Sequence, residues 1–374
     1  MIYELSNELV RRGHSVTALT TDAMDSTGRA SPVSEVFGGI EVHRYRNLSN
    51  RLASGYQLFL PRGMGGYLRK HLFEFDVAHM HIPRALSSIL VHRYATKLGV
   101  PYVLSAHGTL PRITRGKFAK EIFDLILGHR ILRDATRLIA VSGTERQHYE
   151  KAGIPTSKVS VIPNGVNSDY YDSLPAPGAF RSQHGLRDRS LVLYVGRMNP
   201  RKGLVHLVRA FGELTKHRSN AHLALIGPDD GFRTRLEGFV GRLGLSEQVT
   251  FFGMVTEAAK LQAYVDADVV VYTAEHEIFG LVPFEAMICG TPVVVANDSG
   301  CGEIIAAEQA GLTVGVDDVT ELRDAIEQCL EKNNSVADRT ARGREFVLTQ
   351  LSWSKIAQKM EGVYRDSVVC GVDQ

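Results

Sequence analysis

Cysteine and tryptophan are scarce: the chain has four Cys and one Trp in 374 residues. Cys289, Cys301, Cys329 and Cys370 have neither metal-ligand spacing nor the density of a disulfide framework, so they read as free thiols. Long apolar runs are missing too. No stretch approaches the roughly 18 residues that cross a bilayer, and the opening M-I-Y-E-L-S-N-E does not read as a secretory signal. These absences predict a cytoplasmic protein. There is also no Asp-x-Asp in a supporting context, and no metal site is predicted.

What is present is an ordinary soluble balance, 44% hydrophobic and 22% charged, in a chain long enough for two domains. A net charge of +2 hides an asymmetry. Residues 1–150 carry 20 Lys+Arg against 13 Asp+Glu, or +7, and the remainder carries 23 against 28, or −5. Arg62, Arg69 and Lys70 make one basic patch, and Arg112, Arg115, Lys117, Lys120, Arg130, Arg133 and Arg137 make a second. They read either as a solvated surface or as one that meets anionic headgroups or a phosphate-linked partner. No nucleic-acid partner is expected.

The most informative stretch is Glu275 to Gly290, E-H-E-I-F-G-L-V-P-F-E-A-M-I-C-G. Apolar runs at Val269 to Thr273 and Val293 to Ala296 bracket it and predict strand, loop, short helix, strand. Amides around Phe279, Gly280 and Leu281 would open the helix unpartnered and attract an anion, with Gly280 allowing close approach. Glu277 and Glu285, with seven residues between them, could each grip a polar group beside that anion. A sugar nucleotide offers such groups, a sugar ring to Glu277 and a ribose diol to Glu285. Upstream, Leu191 to Val195 runs into Gly196-Arg197-Met198-Asn199-Pro200-Arg201-Lys202-Gly203, whose cations could flank a diphosphate.

The E-x7-E string, with its F-G-L-V and C-G-T-P-V-V-V flanks, resembles the donor-site signature of glycosyltransferase family 4, and G-R-M-N-P-R-K-G resembles that family's G-R-x-x-x-x-K-G loop. The resemblance implies an α/β GT-B fold, two Rossmann-like doubly wound domains facing a central cleft. It implies a retaining, metal-independent transfer of a sugar from a nucleotide diphosphate sugar to a sugar or lipid-linked hydroxyl, as in polysaccharide or glycolipid assembly. The donor base is not read, and UDP, GDP and ADP all remain open. By resemblance Arg197 and Lys202 hold the diphosphate, Gly196, Met254 and Val255 line the nucleotide, and His107, at the end of the strand Tyr102 to Ser105, faces the sugar. His79 and His81 end another short strand and could be core or ligand-facing.

The expected division is residues 1–170, a linker over 171–190 with Pro175, Pro177 and Gly178, a donor domain over 191–350, and a last helix from residue 351 that returns to the first domain. The family's first strand and glycine-rich loop have no counterpart before Ile2, so the strands beside that slot are expected to lack a partner. That leaves a non-catalytic nucleotide-sugar binder or an inactive fragment as the alternative. An epimerase on the same fold would want further acids and histidines at the sugar, and a phosphorylase would want a cofactor lysine; neither pattern is seen.

Overall fold

The computed structural model describes residues 1–111, 117–171 and 173–372. The backbone divides into two compact units, Met1–Gly165 with Trp353–Gln374, and Val166–Ser352. The division falls just ahead of the expected linker. Residues 173–190 pack with the second unit: the helix Ala179–Gln183 buries Phe180, and the amides of Gly178 and Arg181 donate to the Asp266 carboxylate. Proline and glycine there mark a bend in a packed segment.

The first unit holds strands β1 (Thr17–Thr21), β2 (Ser34–Phe37), β3 (Ile40–Asn47), β4 (Pro61–Arg62), β5 (Ala78–His81), β6 (Tyr102–Ser105), β7 (Arg137–Ala140) and β8 (Val159–Val161). They form two sheets. One is parallel in the order β5-β6-β7-β8; in the other β3 pairs with β1 in parallel and with β2 and β4 antiparallel. Among the described residues β1 and β5 each pair on one side only. The β2–β3 hairpin was not predicted. Gly38 and Gly39 make its two-residue turn at φ 59 and 80, the left-handed pair that suits a right-twisted ribbon. The helix Trp353–Val372 lays Ile356, Met360 and Val363 on Val103, Ile139 and Ile162.

The second unit is a six-stranded parallel sheet in the order β11-β10-β9-β12-β13-β14, from β9 (Ser190–Val195), β10 (Ala221–Ile226), β11 (Val249–Gly253), β12 (Val269–Tyr272), β13 (Val293–Ala296) and β14 (Leu312–Val314). Helices cover both faces, so β9, β10, β12 and β13 are apolar nearly throughout, as a doubly covered parallel sheet requires. The chain starts at central β9, builds outward through β10 and β11, then returns to add β12. The strand order therefore reverses between β9 and β12, and loops leaving those two strands diverge around a crevice at their carboxyl ends, where open α/β sheets bind ligands.

Candidate active site

The β9 loop is built on glycines. Gly196 has φ 152, Gly227 has φ 138, and a Cβ on Gly227 would lie 2.0 Å from the Gly196 carbonyl oxygen. Only bare backbone lets these two strand ends approach so closely. Asn199 then caps a turn over Pro200–Lys202 by accepting from the Arg201 amide. Gly203 at φ 65 turns the chain into the helix Leu204–Thr215, and a Cβ there would sit 2.2 Å from the Thr273 carbonyl oxygen. These contacts bring the basic loop alongside the end of β12.

The result is a tight polar cluster at the switch point. Lys202 Nζ lies 2.5 Å from Glu277 Oε2 and 3.1 Å from the Tyr272 hydroxyl, and that hydroxyl donates to the same Glu277 oxygen at 3.1 Å. Both charged side chains are largely enclosed, 14% exposed for Lys202 and 27% for Glu277. Burial first, and the Glu277 charge second, push the Tyr272 phenol upward, so it remains a donor at neutral pH. The predicted partners Lys202 and Glu277 thus share one site, and Tyr272, which the sequence reading took as a core strand residue, joins them.

Arg197 lies elsewhere. Its guanidinium is 63% exposed and 3.5 Å from Asp230, and its carbonyl accepts from the Tyr194 hydroxyl. The predicted pair of flanking cations is one enclosed lysine and one outlying arginine. Glu285 accepts from the Tyr264 hydroxyl at 2.8 Å and stands 3.5 Å from Lys260 Nζ, two partners that the sequence did not reveal.

The helix after the acidic loop spans Val282–Ile288, seven residues, with Pro283 in its first turn. Proline has no amide, so the opening carries one donor fewer than a helix start without proline. Gly280 is also needed for another reason: a Cβ would fall 2.5 Å from the Tyr272 ring. Phe279 stacks on Phe284 at 5.2 Å, Leu281 is 37% exposed, Met254 is exposed, and Val255 packs on the core.

In the first unit the chain turns after β6 at His107, φ 51, and Gly108, φ 75. The turn is held by Glu145, fully buried, whose carboxylate accepts from the Gly108 amide at 2.5 Å and the Val141 amide at 2.8 Å. Ser142 caps the helix that follows by accepting from the Glu145 amide, while the Glu145 side chain serves the His107 turn. His107 Nε2 is 2.9 Å from His81 Nδ1. His79 has both nitrogens occupied, by the Tyr364 hydroxyl and by Ser105 Oγ. Burial, then the neighbouring His107 and the chain's amino terminus, pull His81 down to about 3. Burial, then the amino terminus, pulls His107 down to about 4, so both are neutral near pH 7.

The described residues that could share a metal ion are His206, Glu275 and Asp317, with donor atoms within 4.8 Å of one another; His206 Nε2 and Asp317 already meet at 3.1 Å as an ion pair, and Asp317 is exposed.

Comparison with known proteins gives this arrangement a family. Residues 1–170 match Glycosyltransferase Family 4, and residues 178–346 match Glycosyl transferases group 1. The D-inositol 3-phosphate glycosyltransferase of Frankia alni is 31% identical over 79% of this chain and 75% of its own length. The chain belongs to glycosyltransferase family 4. An uncharacterized glycosyltransferase of Methanocaldococcus jannaschii is 29% identical over 96% of this chain and 92% of its own. Among solved structures, sucrose-phosphate synthase from Thermosynechococcus elongatus superposes with a TM-score of 0.77 at 25% identity, covering 99% of this chain and 93% of its own. The family 4 glycosyltransferase described here therefore has the GT-B fold, with two Rossmann-like units.

Proposed function

We propose that this glycosyltransferase moves a sugar from a nucleotide diphosphate sugar to a hydroxyl acceptor with retention of anomeric configuration, in the cytoplasm and without a metal. The observation that carries this is the Lys202, Tyr272 and Glu277 cluster at the switch point of the second unit. Breaking the anomeric bond leaves electron density on the departing diphosphate. Lys202 is the enclosed cation that meets that charge, and Arg197 follows from the rim once it leaves Asp230. When the diphosphate takes Lys202, Glu277 is released to accept from sugar hydroxyls. Glu285, oriented by Tyr264, grips the ribose diol, and the departing phosphate oxygen takes the acceptor's proton as the new bond forms. His107 keeps the part that the family resemblance implies, facing the transferred sugar.

Lys202→Ala is expected to lower kcat/KM at least tenfold, about 1.4 kcal/mol of transition-state stabilisation, in assays with UDP-, GDP- and ADP-sugars. Activity within twofold of the parent for a folded variant would refute the role of Lys202.

The acceptor is proposed to be phosphate-bearing or lipid-linked, presented at an anionic membrane face. What supports this is the helical run 117–134, where Phe118 and Leu125 are 76% and 78% exposed and Ile122 and Ile126 fall on the same side at helical spacing. Arg130 and Arg133 follow within the same run. Of the basic residues expected there, 112–116 lie outside the described residues. An apolar stripe next to arginines suits the boundary of an anionic bilayer. Co-sedimentation with phosphatidylglycerol vesicles should drop at least fivefold in Phe118→Ser/Leu125→Ser and be weak with neutral vesicles; equal binding by parent and variant would exclude this contact.

A further inference from the structure

The two histidines of β5 have opposite fates. His79 is clamped at both ring nitrogens by Tyr364 and Ser105. His81 touches the turn that presents His107. Their rings stack at 15° with centroids 5.2 Å apart, and His81 Nδ1 faces His107 Nε2 at 2.9 Å. The other His107 nitrogen, Nδ1, is sealed from solvent with no hydrogen-bond partner. Glu145 fixes the backbone of the turn through the Gly108 amide, but it does not hold the imidazole. Among the described residues, His81 is the one polar tether that the His107 ring has.

Both rings are neutral, so each carries one N–H, and one of the two facing nitrogens must donate. If His81 donated, the His107 proton would sit on Nδ1 as a buried N–H with nothing to meet it, which folded proteins rarely tolerate. If His107 Nε2–H donates, Nδ1 keeps a bare lone pair, the less costly orphan. The second arrangement is the one that the surroundings favour.

We infer that His81 is a positioning residue for sugar transfer: its Nδ1 accepts the Nε2–H of His107, fixing the ring plane and the tautomer in which His107 Nδ1 can only accept a hydrogen bond. The link to transfer rests on the function proposed above; the tautomer does not.

The test has two arms. In ligand-free protein with 15N-labelled histidine, side-chain NMR at pH 7.5 is expected to find His107 protonated at Nε2 and bare at Nδ1. A proton on Nδ1 overturns the inference. In transfer assays His81→Leu is expected to lower kcat at least tenfold with donor KM changed less than threefold, while His81→Asn, whose amide oxygen can accept the same N–H, recovers to within threefold of the parent. A His81→Leu enzyme with parental kcat overturns it equally, and so does failure of His81→Asn to exceed His81→Leu. If the parent transfers no sugar from any donor supplied, the proposed function fails. The inference then stands or falls on whether His81→Leu mixes the His107 tautomers.

Discussion

At the scale of single residues, the site shows what a sequence can and cannot disclose. Lys202 and Glu277 were singled out because their two loops resemble the family's motifs, and the structure sets the two side chains 2.5 Å apart. Tyr272 was not, because a tyrosine ending an apolar run looks like core. Only the three-dimensional meeting of its hydroxyl with both charges reveals its part. Gly280 was legible as necessary, and the structure adds a second reason, since its missing Cβ makes room for the Tyr272 ring. Gly280→Ala should therefore disturb catalysis by displacing Tyr272 from Lys202 and Glu277. A fall of at least fivefold in kcat is expected, with tyrosine fluorescence or a crystal structure reporting the moved ring; an unmoved ring with lost activity would point to ligand contact instead. The buried histidines make a second prediction at this scale. His81 and His107 have folded values of about 3 and about 4, against about 6.5 in an unfolded chain. As pH falls below about 6.5 the unfolded state takes up protons that the folded state refuses, so their contribution is fully present above that value and is lost on acidification. Melting temperature should hold between pH 7 and 8 and decline from pH 6.5 toward 5; a flat or rising profile would contradict the neutral, buried assignment.

At the scale of elements, the parallel strands β9, β12 and β13 of the second unit were readable from apolar runs of four or five residues. The first unit was harder. Its β2–β3 hairpin has a sequence, S-E-V-F-G-G-I-E-V, whose alternation is short and whose outward positions include Val36 and Phe37, exposed by 73% and 54%. The glycine pair is the signal that marks its turn. The short helix Val282–Ile288 was placed correctly, with Pro283 removing one amide from its opening. Strand-end glycines carry more of the geometry than the helix does. Gly203→Ala would place a methyl group against the Thr273 carbonyl at a left-handed position. Strain of this kind costs on the order of 1–3 kcal/mol, and thermal denaturation of the folded variant should show it. A melting temperature equal to the parent's would mean that the loop relaxes freely.

At the scale of the whole molecule, each unit has its own apolar core, and the polar cluster of Lys202 belongs to the second alone. Addition of a nucleoside diphosphate should slow amide exchange most strongly over residues 196–203 and 272–285; protection confined to other segments would relocate the donor site. The first unit carries a different consequence, lodged in the one-sided pairing of β1. Its sequence, Thr-Ala-Leu-Thr-Thr, is uncharged, β-rich in preference and free of proline, and its amides and carbonyls on one flank await company. Proteins usually guard such a border with lysine, proline or a bulge. Among the described residues nothing of the kind stands guard, so concentrated solutions of this polypeptide should clump over time. A Thr20→Lys change, at the most exposed position of that border, should prolong their clarity.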